Sequence, residues 1–106
     1  MIPTIVYQEK TLEARLVREI EARGGMALKY TSQFHRGIPD RICVMPGGVV
    51  YFVELKTTGK RPTPLQRLAI SKLREMNHPT WVVDSGPALE AVLKAIDQEI
   101  AQKIDK

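Results

Sequence analysis

Asp40, Glu54 and Lys56 are the residues whose types and spacing could do chemistry. Glu54 and Lys56 stand two apart in the run Val49 to Lys56, which reads as a strand. Alternation puts Val50, Phe52, Glu54 and Lys56 on one face and Tyr51, Val53 and Leu55 on the other. Arg41 to Met45 reads as a second strand, and Pro46-Gly47-Gly48 as the tight turn that joins the two into an antiparallel hairpin. Asp40 opens the first of these strands, so the hairpin can bring the carboxylates of Asp40 and Glu54 together. Two carboxylates at close range stay ionised only if a cation sits between them. Hard oxygen donors with no Cys or His among them suit Mg²⁺ or Mn²⁺ rather than zinc. A neighbouring Lys can stabilise developing negative charge or orient a water. Phosphodiester hydrolysis has a use for that combination. The alternative is a same-face salt bridge between Glu54 and Lys56, with Asp40 a turn residue after Pro39.

The elements that would position these groups are legible from periodicity. Leu12, Leu16, Val17 and Ile20 form a helical stripe within residues 8–23, stopped by Gly24-Gly25. Glu13 falls inside that apolar arc. Glu9 falls inside it too, but at the helix start, where exposure is easier. An acid on a buried face is costly unless something pairs with it. Met26 to Thr31 reads as a short strand, and Gln33 to Pro39 as a loop. Thr57 to Pro64 is a polar loop carrying Lys60 and Arg61, and Thr63-Pro64 makes a good helix start. Leu65, Ala69, Leu73 and Met76 form the next predicted inward stripe, with Gln66 facing inward among them. Trp81 to Asp84 reads as a buried strand. Ser85 then caps a last helix bearing Leu89, Val92, Leu93, Ile96 and Ile100. The order α-β-β-β-α-β-α predicts an α/β fold, a mixed sheet of about four strands flanked by helices.

Composition narrows the class. At 106 residues, 43% hydrophobic and 26% charged, the sequence is expected to form one domain over residues 1–106. One cysteine, Cys43, excludes an internal disulfide framework and a thiolate zinc cluster. No apolar run reaches bilayer length, and the N-terminus does not have the pattern of a signal peptide, so a cytoplasmic protein without membrane partners is expected. Sixteen Lys plus Arg against twelve Asp plus Glu give a net charge of +4, which leans towards a polyanion such as nucleic acid. No Gly-rich phosphate loop or nucleotide fingerprint appears, so no nucleotide cofactor is expected.

Gly37-Ile-Pro-Asp40 with Arg36 before it, Glu54-Leu-Lys56, the basic loop Thr58-Gly-Lys-Arg61, and Leu65-Gln66 on a helix together resemble the PD-(D/E)XK nuclease superfamily. Within it the sequence is similar to the stand-alone form of the virus-type replication-repair nuclease (VRR-Nuc) domain, over Glu9 to Ser85. The resemblance implies a restriction-endonuclease-like core and a metal-dependent endonuclease acting on DNA. It implies that Asp40, Glu54 and the main-chain carbonyl of Leu55 ligate Mg²⁺ or Mn²⁺, and that Lys56 positions the attacking water or stabilises charge at the phosphate. Glu13 matches the helix-borne acid that supports the metal, with Glu9 as its rival, and Gln66 matches a glutamine near the active site. It further implies a homodimer acting on branched DNA in the manner of a Holliday-junction resolvase, in DNA repair, in a bacterial or phage-infected cell. Lys29, Arg36, Arg41, Lys60 and Arg61 are then the candidate DNA contacts, reading phosphates and shape. The alternatives are a non-catalytic DNA-binding module, a sequence-specific restriction-type endonuclease on the same fold, and a small interaction protein in which the charges coincide by chance.

Overall fold

The structure, a computed structural model, describes residues 5–31 and 36–104. The start of the predicted 33–39 loop, with His35, lies outside the described residues. Helix α1 spans Glu9–Ala22, and strands β1 and β2 span Met26–Lys29 and Arg41–Met45. A tight turn over Pro46–Gly48, with Gly47 and Gly48 both at positive φ, leads to β3, Val49–Leu55. Helix α2 (Pro64–Glu75), strand β4 (Thr80–Val83) and helix α3 (Gly86–Ile104) complete the order expected from the periodicity. The predicted strand from Met26 stops at Lys29 rather than Thr31, and the last strand begins one residue early, at Thr80.

The four strands form one mixed sheet in the order β1-β2-β3-β4. The first two pairings are antiparallel and β3–β4 is parallel. A parallel pair needs a crossover, and α2 supplies it. Leu12, Leu16 and Ile20 of α1 and Leu89, Val92, Leu93 and Ile96 of α3 bury against Cys43, Met45, Val49, Tyr51, Val53 and Leu55 of the sheet. The odd-numbered residues of β3 therefore face this core, and Val50, Phe52 and Glu54 face the other way. Ser85 accepts from the N–H of Ala88 and so caps α3. Arg23 bridges α1 to Asp97 of α3 at 2.7 Å, and Arg15 pairs with Glu90 alongside.

The expected inward stripe of α2 is corrected. Ile70 is its buried residue, while Leu65, Leu68 and Met76 are more than half exposed. The apolar arc of α2 is wider than one contact face, so Gln66 and Ile70 turn inward and the other flank stays outside. The second face of the sheet is likewise left open at β1, where Met26 and Leu28 are exposed. Register places Leu28 beside Ile42 and Phe52, and Met26 beside Val44 and Val50, making two apolar rows on the same face as Glu54.

Cys43 sits fully buried in the core, and burial pushes its thiol up to about 12. In the native protein it stays protonated and unreactive. The unfolded thiol ionises near ~8.5, so this contribution to stability is complete below that pH and is lost as pH rises towards the native value. Alkylation at pH 8.5 should proceed only through unfolding, at a rate on the order of 10³ below that of the denatured chain. A fast native reaction, followed by mass spectrometry, would contradict this placement.

Candidate active site

The site forms where β2 begins and β3 ends, at the opposite end of the hairpin from the 46–48 turn. Pro39 is buried and delivers Asp40 to the position just before β2. Asp40 Oδ2 accepts the backbone N–H of Leu55 at 3.2 Å, which ties the start of β2 to the end of β3. Glu54 lies near the end of β3 and is 1% exposed, the one charged side chain among the described residues that is fully buried. Its Oε2 accepts from Lys56 Nζ at 3.1 Å and from Gln66 Nε2 at 3.0 Å. Its Oε1 is buried and has no hydrogen-bond partner among the described residues. Burial and the facing charge of Asp40 push the Glu54 carboxyl up, while Lys56 pulls it part of the way back.

Gln66 reaches Glu54 because of how α2 begins. Thr63 is the N-cap; its hydroxyl accepts from the N–H of Gln66, and Gln66 Oε1 accepts from the N–H of Thr63 at 2.8 Å. This capping box satisfies two of the free donors at the helix start. It also settles the amide orientation: with Oε1 taken by Thr63, the NH₂ group must face Glu54. Lys56 is anchored too, since its backbone N–H donates to Val83 O at 2.9 Å. Thr58, two residues on, donates to Asp84 O at 2.6 Å and exchanges hydrogen bonds with the backbone of Tyr7.

Asp40, Glu54, Lys56 and Gln66 are thus brought together. Glu13 and Arg41 are brought to each other instead. Arg41 Nε donates to Glu13 Oε2 at 3.1 Å and Nη1 to Ala27 O at 2.8 Å, with both side chains largely buried. Arg41 is opposite Val53 in the sheet, on the α1 side, whereas Glu54 points to the α2 side. Arg36, Lys60 and Arg61 are exposed around the site, and Lys29 is exposed on the edge strand. Periodicity gave no hint of two supports: Thr57, whose hydroxyl accepts from the N–H of Glu9, and Arg67, which donates to Pro62 O and braces the basic loop. Their only signal is polarity next to Lys56 and to Lys60-Arg61.

A hard divalent cation fits these donors. The orphaned Glu54 Oε1 requires a partner that the described residues do not supply, since a buried polar atom without one is costly. Asp40 retains its second carboxylate oxygen. Among the described residues no cluster of three or more His, Cys, Asp or Glu shares one point. The two carboxylates, Asp40 and Glu54, suit Mg²⁺ or Mn²⁺, which are commonly held by one or two carboxylates, with water and substrate oxygens completing the shell. No helix among the described residues is long and apolar enough to cross a membrane.

No protein-family model matches the chain. It is 38% identical over 92 residues to a curated protein named "Putative nuclease p44", from Acyrthosiphon pisum secondary endosymbiont phage 1. That alignment covers 87% of this chain and 98% of the phage protein. Among solved structures the chain superposes on one titled "VRR_NUC domain", with a TM-score of 0.77 and 26% identity, over 81% of this chain and 94% of that one.

Proposed function

Since the chain belongs to the VRR-Nuc family, with its PD-(D/E)XK fold, we propose that residues 1–106 form a metal-dependent, structure-selective DNA endonuclease. The observation that carries this reading is Glu54. A carboxylate that is 1% exposed, with one oxygen unpartnered and another carboxylate facing it, is costly to keep unless it holds a cation.

Asp40, Glu54 and the Leu55 carbonyl would hold Mg²⁺ or Mn²⁺. When bound, the cation supplies Lewis acidity to a phosphate oxygen and lowers the pKa of water. The chain does the remaining work. Gln66 keeps Glu54 in one rotamer. Lys56, held beside Glu54, places a positive charge where negative charge accumulates on the scissile phosphate. Arg36, Lys60 and Arg61 attract the flanking phosphates, and such contacts carry no sequence information, so selection comes from DNA shape. Hydrolysis would leave a 5′-phosphate.

Branched DNA, such as a Holliday junction, requires cuts in two strands, which two sites related by a two-fold axis can supply. A homodimer is supported by the apolar rows Met26–Val44–Val50 and Leu28–Ile42–Phe52 and by exposed Leu65, Leu68 and Met76. Exposed apolar rows of this kind favour an interaction site. The C-terminal helix spends its apolar stripe on the core. The proposed setting is the cytoplasm of a bacterial or phage-infected cell, in DNA repair.

Cleavage of labelled four-way junction, flap, splayed-arm and linear duplex DNA tests the reading, with the wild type and Asp40→Ala in Mg²⁺, Mn²⁺ or EDTA. We expect metal-dependent cutting of a branched substrate, reduced on the order of 10³-fold in Asp40→Ala. Binding without cutting under every condition would replace the enzyme with a DNA-binding module.

A further inference from the structure

We infer that Gly37 is a positioning residue, setting the closure of α2 onto the Asp40 loop and thereby the reach of Gln66 to Glu54. Two chain segments far apart in sequence meet at this point. One carries Gly37 to Asp40; the other is the first turn of α2. A Cβ built on Gly37 would lie 2.5 Å from Leu65 O, 2.7 Å from Leu65 C and 2.9 Å from Gln66 N. All three are backbone atoms, so no rotamer change can relieve the overlap. The contact is directly at the residue whose side chain touches Glu54.

Both segments are otherwise stiff. Pro39 is buried with a fixed φ, and Asp40 is held by the Leu55 N–H. The first turn of α2 is held by Pro64 and the Thr63–Gln66 capping box. A side chain at position 37 must therefore separate the two segments as units. The separation would appear at the Gln66–Glu54 hydrogen bond, already at 3.0 Å, because geometry at both ends is fixed. Misplacement of a catalytic group by about 1 Å can cost on the order of 10²-fold in rate.

Gly37 also has φ +89°, which favours glycine for a second reason. Gly48 separates the two causes. Its φ is +78°, yet a Cβ there meets nothing within 4 Å, and it lies in the turn at the far end of the hairpin. Asn tolerates left-handed backbone, so Gly37→Asn and Gly48→Asn add a Cβ with little dihedral strain, and only the one at position 37 meets an overlap.

The experiment has one arm without catalysis and one with it, because the inference rests on the nuclease reading only for turnover. In ¹⁵N-labelled protein, the Gln66 side-chain NH₂ is assigned by its loss in Gln66→Ala. It should be shifted and slowly exchanging in the wild type and in Gly48→Asn, and should move to the position of a free amide in Gly37→Asn. Turnover on the substrate found above should fall about 10- to 100-fold in Gly37→Asn with KM little changed, and under twofold in Gly48→Asn. In the Gln66→Ala background, Gly37→Asn should cost less than twofold more. An unchanged Gln66 amide in Gly37→Asn overturns the inference, as does a full multiplicative loss in the double variant. If the wild type cuts nothing but the amide responds as expected, the nuclease reading fails and the positioning role stands. Gly37→Ala, with a smaller side chain, repeats both arms should Gly37→Asn not fold.

Discussion

Glu54→Gln should abolish cleavage, by a factor on the order of 10³ or more, while leaving the metal-free protein at least as stable as the wild type. The two effects have one cause. Glu54 is the buried carboxylate of the site, and burial and the facing Asp40 charge both disfavour its ionised form. A neutral amide of the same shape removes the desolvation cost and the repulsion together. Its carbonyl can take the place of Oε2, accepting from Lys56 and Gln66, and its NH₂ can stand where Oε1 now has no partner. The melting temperature without divalent cation should therefore hold or rise by a few degrees. The wild type should gain more than the variant on adding Mn²⁺, because a ligand that binds only the native state stabilises by mass action. Thermal melts with and without Mn²⁺, beside the cleavage assay, check all three statements. A variant that melts well below the wild type would show that the Glu54 charge holds the fold together, and would leave the metal without its strongest support.

The legibility of this arrangement in the sequence differs from residue to residue, for physical reasons. Glu54 was legible because strand alternation is strict: a residue two beyond Phe52 must share its face. Gln66 was legible because a helix keeps its angular positions wherever it is placed. The outer flank of α2 was not. Leu65, Leu68 and Met76 are as apolar as Ile70, and periodicity cannot say which part of a wide arc the sheet covers. The Glu13–Arg41 pair was hidden for a related reason. The helical arc showed that Glu13 turns towards the sheet, but not which face of β2 it would meet 28 residues later. Register decides that, and it places Arg41 opposite Val53 on the α1 side of the sheet. Gly37 was legible only as part of a motif, since a residue without a side chain announces no contact. Its role depends on backbone atoms of α2, invisible to any pattern of side chains.

Replacing Lys56 should be as damaging to turnover as replacing Glu54, with the opposite effect on stability. Lys56 Nζ is the chain's own cation against Glu54, and its side chain is 16% exposed. Lys56→Met keeps the length and apolar stem but leaves Glu54 and Asp40 with no positive partner at the site. Removing one member of a buried pair is costly because the remaining charge stays buried: about 3–5 kcal/mol for fully buried pairs, and less here because the Lys56 stem retains some solvent. The metal-free Lys56→Met protein should therefore melt several degrees below the wild type. Divalent cation should recover more of that loss than it adds to the wild type, since it neutralises the carboxylates that Lys56 no longer serves. Turnover should not recover with it. The cation can restore the charge balance of the carboxylates, but not the positive charge that, on the proposed mechanism, Lys56 would place beside the scissile phosphate, so cleavage should remain down on the order of 10²- to 10³-fold in saturating Mn²⁺. Lys56→Arg keeps charge and changes its shape; it should melt close to the wild type yet cut slowly, because a planar guanidinium cannot occupy the position of a compact ammonium. If Lys56→Met were fully rescued by Mn²⁺, Lys56 would be a counter-ion for Glu54 and nothing more, and its place in the chemistry would fall to the cation alone.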